Sequence, residues 1–198
     1  SRSARIRDMQ ASGGGLSPAA MALQRGEVAR CLRLTQGAKL SPGDREVRGW
    51  CLLEAGRSGE ATEVFQQLME ESHGQPRQAK AAQGYLLSLL QRGLVEEAFH
   101  ELHRLPLPPE EQSDLLAQAL AAKAVAAYEN GDYRHALRLI EVHARLSPIP
   151  YDLAIVQGWA YFNSAQFERA RETFQRLDRQ FSTHDTRAAL QLLRQREL

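Results

Sequence analysis

Long apolar runs are missing from this 198-residue chain; even the Ala/Leu-rich stretch 115–128 carries Gln118 and Lys123. No segment of it reads as a bilayer-spanning helix, so direct membrane insertion is excluded. An excess of one charge is missing too. Charged residues make up 25% of the chain and the formal net charge is +1, with acids and bases interspersed. That is a solvated surface without a polyanion bias, which removes nucleic acid from the expected partners. Aromatics are few, at 7%, and lysine occurs only as Lys39, Lys80 and Lys123. Cysteine occurs only as Cys31 and Cys51, with no CxxC pair and no accompanying histidine pattern. Two buried free thiols are the reading, a disulfide the alternative, and cysteine usage leaves the redox compartment open.

Signals for catalysis are equally thin. The chain has no glycine-rich phosphate loop, no nucleophile elbow and no paired acids beyond ordinary helix faces. His100-Glu101-Leu102-His103 resembles a metal motif superficially, but its histidines are spaced i, i+3, whereas the protease pattern needs i, i+4. A charged surface helix is the reading there. No catalytic residue, metal or cofactor is expected. The chain opens SRSARIRDMQASGGGLS, without an initiator Met or a signal-type apolar region. It reads as the start of a cut fragment, with residues 1–15 an irregular or disordered segment.

What is present is a repeat. The units are QRGEVARC (24–31), EAGRSGEA (54–61), QRGLVEEA (91–98), ENGDYRHA (129–136) and NSAQFERA (163–170). Each sets Gly26, Gly56, Gly93, Gly131 or Ala165 five residues before a small residue, and the steps between turns are 30, 37, 38 and 34. A period of this size with helical flanks marks a solenoid of stacked helix pairs, which bury their apolar faces only against neighbours. The pattern predicts helices over 17–25, 27–36, 43–55, 58–72, 77–92, 94–105, 110–130, 132–146, 150–164, 166–181 and 184–196. Ser41-Pro42-Gly43-Asp44 reads as an N-cap, a first-turn proline and a first-turn acid.

Numbering one unit from Ala117 and the next from Tyr151 puts each turn residue at position 15. Ala124 and Gly158 then take position 8, Ala127 and Tyr161 position 11, and Tyr133 and Phe167 position 17. Ala136 and Ala170 take position 20, Ile140 and Phe174 position 24, and Pro148 position 32. This pattern resembles the tetratricopeptide repeat family over roughly residues 42–184. Small residues at 8 and 20 let paired helices approach, while bulky ones at 17 and 24 fill the gap to the next pair. The unit from about Ala79 carries Leu86 at the small position 8, and the first unit has Cys31 at the alanine position.

The resemblance implies an all-α fold, a right-handed α-solenoid of antiparallel helix hairpins. About five units are expected, at 16–41, 42–76, 77–108, 109–148 and 149–183, followed by 184–198 as a cap or the first helix of a sixth. Leu190, Leu192 and Leu193 of that last helix are expected to cover Phe174 and Leu177. In the family the first helix of each unit lines a concave groove, chiefly through positions 2, 5, 9, 12 and 13. Position 9 here is Trp50, Leu87, Val125 and Trp159; position 12 includes Tyr128 and Phe162; position 13 is Glu54, Gln91, Glu129 and Asn163. These are the implied partner-binding residues, with Trp50 and Trp159 as open-facing anchors; packing between first helices is the competing role at position 12. The family's clamp for a C-terminal carboxylate is absent, since position 5 is Glu46, Gln83, Ala121 and Ile155.

The implied function is a non-catalytic scaffold that holds a partner protein or extended peptide. The Arg-rich, Lys-poor repeats with uneven loops are similar to the tetratricopeptide arrays of bacterial exopolysaccharide export proteins, of the cellulose synthase operon protein C and PelB type. That similarity implies a periplasmic location within a larger polypeptide or envelope complex. The alternatives are a cytoplasmic adaptor or secretion chaperone cradling a client segment and, further off, a direct carbohydrate-binding surface.

Overall fold

A computed structural model describes residues 16–37 and 39–195, so the expectation for residues 1–15 lies outside the described residues. Among them are eleven helices and no strand. They are α1 (Pro18–Gln24), α2 (Val28–Leu34), α3 (Pro42–Glu54), α4 (Ser58–Glu71), α5 (Pro76–Gln91) and α6 (Val95–Leu102), then α7 (Pro109–Glu129), α8 (Tyr133–Leu146), α9 (Tyr151–Asn163), α10 (Phe167–Gln180) and α11 (His184–Gln195). Two compact units divide between Glu111 and Gln112, inside the first turn of α7.

Local chemistry places the helix ends. Pro18, Pro42 and Pro76 open α1, α3 and α5 at the first turn, where a missing N–H leaves no bond unmade. Ser41 accepts from the Asp44 N–H at 3.0 Å and donates to its carboxylate at 2.8 Å, the cap expected from sequence. Before α11, Thr183 and Thr186 cap each other reciprocally, at 3.0 and 3.2 Å.

The repeat is visible in the backbone. At all five turns the turn residue's N–H bonds the carbonyl three residues back, and the next N–H bonds the carbonyl five back. Gly26 pairs with Leu23 and Glu27 with Ala22; Ala165 pairs with Phe162 and Gln166 with Tyr161, and the three between repeat the scheme at 2.8–3.0 Å. These bonds satisfy carbonyls that a helix end otherwise leaves open, and they require a left-handed residue at the turn. Gly26, Gly56, Gly93 and Gly131 have φ between 73 and 79°, and Ala165 is driven to 58°. Five residues after each turn, Cys31, Ala61, Ala98, Ala136 and Ala170 are at most 2% exposed. A larger side chain there would prise the paired helices apart.

Ala165 is the one turn residue whose Cβ opposes its backbone conformation. Ala165→Gly is expected to stabilise the chain by about 0.5–1 kcal/mol, because left-handed φ is unfavourable for any residue with a Cβ. A thermal melt unchanged or lowered by this substitution would show that the turn is unstrained.

In the first unit, α3 packs against α1, α2, α4 and α5, and α4 packs against α5. Its core gathers Cys31, Trp50, Cys51, Leu52, Phe65, Leu68 and Ala81. Phe65 needs close backbone approach from both sides: a Cβ at Gly49 would lie 2.6 Å from its ring, and one at Gly84 closer still. Gly49 holds the small position the register assigns, whereas Gly84 lies two residues before Leu86 in its unit. Cys31 and Cys51 form a disulfide between α2 and α3, their Cα atoms 6.2 Å apart. The expectation of two free thiols is therefore corrected. The small-residue slot after the first turn directly faces α3, which brings the two sulfurs together.

In the second unit, α8, α9, α10 and α11 pack in sequence order. Ala154, Ala170, Phe174, Leu177, Ala189 and Leu193 form one core cluster, and Ala124, Ile140 and Leu153 another. Gly158 lies under Phe174 as Gly49 lies under Phe65, with an added Cβ 2.7 Å from the ring. The last helix covers Phe174 and Leu177 through Ala189, Leu193 and half-buried Leu190, while Leu192 turns outward at 44% exposed. The inclusion of Leu192 in the covering face is corrected: helical periodicity carries it away from its neighbours.

Candidate functional site

The expected partner-binding residues fall into two sets, one in each unit. In the first unit Trp50, Glu54, Leu87 and Gln91 lie on α3 and α5, the neighbouring first helices of two hairpins. Trp50 does not stand open. It is 5% exposed and meets Phe65 edge to face at 4.9 Å. The expectation that Trp50 faces an open groove is corrected: the ring is part of the core, and its N–H is spent on Glu46.

That carboxylate is buried as well, and burial raises its pKa above the ordinary value. Lys80, Arg77 and the hydrogen bonds from Trp50 and Arg77 pull it partway back. The Arg77 Nε lies 3.6 Å from Glu46. Leu87 is half-buried, Glu54 and Gln91 are exposed, and the Gln91 amide donates to the Leu53 carbonyl at 3.3 Å. This first set is chiefly a packed seam between α3 and α5 with a polar edge.

The second unit presents more aromatic surface. Val125, Tyr128 and Glu129 lie on α7, and Trp159, Phe162 and Asn163 on α9. Val125, Tyr128, Trp159 and Phe162 are half-buried, and Glu129 and Asn163 are exposed. The rings hold one another edge to face: Trp159 meets Phe174 at 5.2 Å and Phe162 at 5.6 Å, and Phe162 meets Phe167 at 5.6 Å. Asn163 donates to the Tyr128 hydroxyl at 3.4 Å, tying α9 to α7 at the rim. Tyr128 in turn contacts Tyr133, with centroids 5.5 Å apart. Perpendicular packing keeps each ring rigid while leaving part of its face to solvent, a low-entropy contact surface.

Arg169 lies over the Tyr161 ring at 5.8 Å, a cation–π contact that the register did not single out. His103 packs its ring against Phe99, with centroids 5.4 Å apart, and His100 and His103 are both exposed. Among the described residues no group of three or more His, Cys, Asp or Glu is placed to hold a metal, and no helix is long and apolar enough to cross a membrane. Compared with known proteins, the chain matches no family model and resembles no curated protein in sequence.

One buried group is expected to make the second unit sensitive to acid. His143 on α8 is buried, its Nδ1 has no hydrogen-bond partner, and burial lowers its pKa below the ordinary value. The unfolded chain therefore takes up the proton first. Stability is full above the unfolded histidine pKa of about 6.5 and falls as pH drops from there through the folded value. Melting temperatures followed from pH 7.5 to 5 should show this fall, and His143→Leu should flatten it. A His143→Leu profile as steep as the parent's would place the acid sensitivity elsewhere.

Proposed function

We propose that this chain is a non-catalytic scaffold that holds a segment of a partner protein on the aromatic face of its second unit. The observation that carries this reading is the half-exposed set Tyr128, Trp159 and Phe162, rigidly packed and edged by Glu129 and Asn163. Interface energy concentrates in such aromatic anchors, and a polar rim supplies the hydrogen bonds of an extended backbone. The hairpins read as tetratricopeptide-type repeats, supported by five matching turns and five buried small residues, and the right-handed solenoid is what that resemblance implies.

The compartment we propose is the bacterial periplasm, with the chain belonging to an exopolysaccharide secretion system. The Cys31–Cys51 disulfide supports an oxidising compartment, since such bonds persist outside the reducing cytosol. The secretion role rests on resemblance in repeat style, and fractionation of the native host tests the compartment directly. Recovery of the protein in the cytoplasm with both thiols reduced would overturn it.

Binding is tested with the chain as bait in envelope extracts of its host. Trp159→Ala is expected to weaken the captured partner about thirtyfold, the loss of one aromatic anchor of roughly 2 kcal/mol. Glu129→Arg alters only the exposed rim and should also reduce capture without lowering the melting temperature. Full capture by both variants would move the partner off this face.

A further inference from the structure

The interface of α10 and α11 carries a cleft that the aromatic face does not share. Its volume is about 330 Å³, and Arg171, Gln175, Leu190 and Arg194 line it. Arg171 and Gln175 are one helical turn apart on α10, and Leu190 and Arg194 are one turn apart on α11. Two i, i+4 ladders therefore face each other, each contributing one guanidinium. Leu190 is half-buried against the Phe174 cluster and gives the cleft an apolar floor. The Arg171 side chain is 25% exposed and lies 3.7 Å from Glu168, whose carboxylate is open to solvent.

We propose that this cleft is a binding site for an acidic side chain on an extended protein segment, with the neighbouring residue of that segment seated on Leu190. Two guanidiniums lining one cleft favour a carboxylate, whose two oxygens match a guanidinium's donor geometry. Gln175 offers both a donor and an acceptor to the backbone beside the acid. The cleft is the size of a small-ligand pocket and takes one or two side chains rather than a polymer. A long polyanion is disfavoured because Glu168, Glu172, Asp178 and Asp185 interrupt the arginines of α10 and α11. The site stands on α10 and α11 alone, so it holds or fails independently of the partner face around Trp159.

The test uses the full chain, ¹⁵N-labelled, titrated with an end-blocked Gly-Ser peptide carrying Glu-Leu-Glu at its centre. The control is the same peptide with Gln in place of each Glu. Saturable shifts of the Arg171 and Arg194 Nε–H signals are expected with the acidic peptide, and binding by the Gln peptide should be about tenfold weaker or absent. Arg194→Gln changes an exposed residue near the helix end, and it should weaken the acidic peptide about tenfold without altering the fold. Arg171→Gln should do the same, and raising salt should weaken the parent complex. Equal binding of the two peptides, no saturable shift, or an undiminished affinity in Arg194→Gln would overturn the proposal. So would shifts of the same size and midpoint from sodium acetate alone, because the site would then recognise a free anion and not a protein segment.

Discussion

Replacing Cys31 and Cys51 together by alanine lowers the stability of the first unit by about 3 kcal/mol, the chain-entropy value for a loop of roughly twenty residues. The disulfide joins α2 to α3, and both cysteines are fully buried. Cys31 sits where Ala61, Ala98, Ala136 and Ala170 sit in the later hairpins, so alanine fits its slot without strain. The loss then reports the cross-link and not a packing fault. Hydrogen exchange should localise it to α1, α2 and α3, leaving the second unit protected as before. Reductant should lower the parent's melting temperature and leave the double variant's unchanged. A parent insensitive to reductant under conditions that free both thiols would show that the bond contributes nothing to stability.

The second large effect falls on Phe65. Gly84→Val is expected to cost about 3 kcal/mol, at the upper end for overpacking, because the added carbon would overlap the ring of a fully buried phenylalanine. The neighbour cannot yield, since Gly49 closes the ring from the other helix. Phe65→Leu alone opens a cavity, yet in combination with Gly84→Val the smaller side chain should relieve the overlap. The pair is therefore expected to be more stable than the sum of the two single losses, by more than about 0.5 kcal/mol in a urea-denaturation cycle. Strict additivity would mean that α4 and α5 adjust their separation without reference to this ring.

The two effects differ in how visible they are in the sequence. Gly49 falls at position 8 of its unit, and the reason a small residue belongs there is that the bulky residue at position 24 points at it. That relation is periodic, and it recurs at Gly158 beneath Phe174. Gly84 obeys no such position, and its closeness to Phe65 depends on the distance and angle between two successive hairpins. The disulfide is a similar case. Twenty residues of separation say nothing about two sulfurs until α2 is folded back on α3.

The expected groove shows the same division. Trp50 and Trp159 hold the same position in their units, and equivalence in register implied equivalence in exposure. The structure separates them: Trp50 is sealed beside Phe65 with its N–H bound to Glu46, while Trp159 keeps part of its face open. Burial is a sum over neighbours, and the neighbours of α3 include four other helices of its unit. A repeat register names the side a residue faces, but not how completely the adjacent helix covers that side.

The sequence by itself determined the helices, their order and the turns that divide them. Those features are local. A glycine accepts left-handed φ, a proline opens a helix and cannot continue one, and a small residue five positions later marks where two helices must meet. Only the tertiary structure decided the partnership of Cys31 with Cys51, the burial of Trp50 and the cleft between Arg171 and Arg194. Each depends on atoms brought together by helix packing, at separations of a few ångströms that the spacing of residues along the chain does not encode.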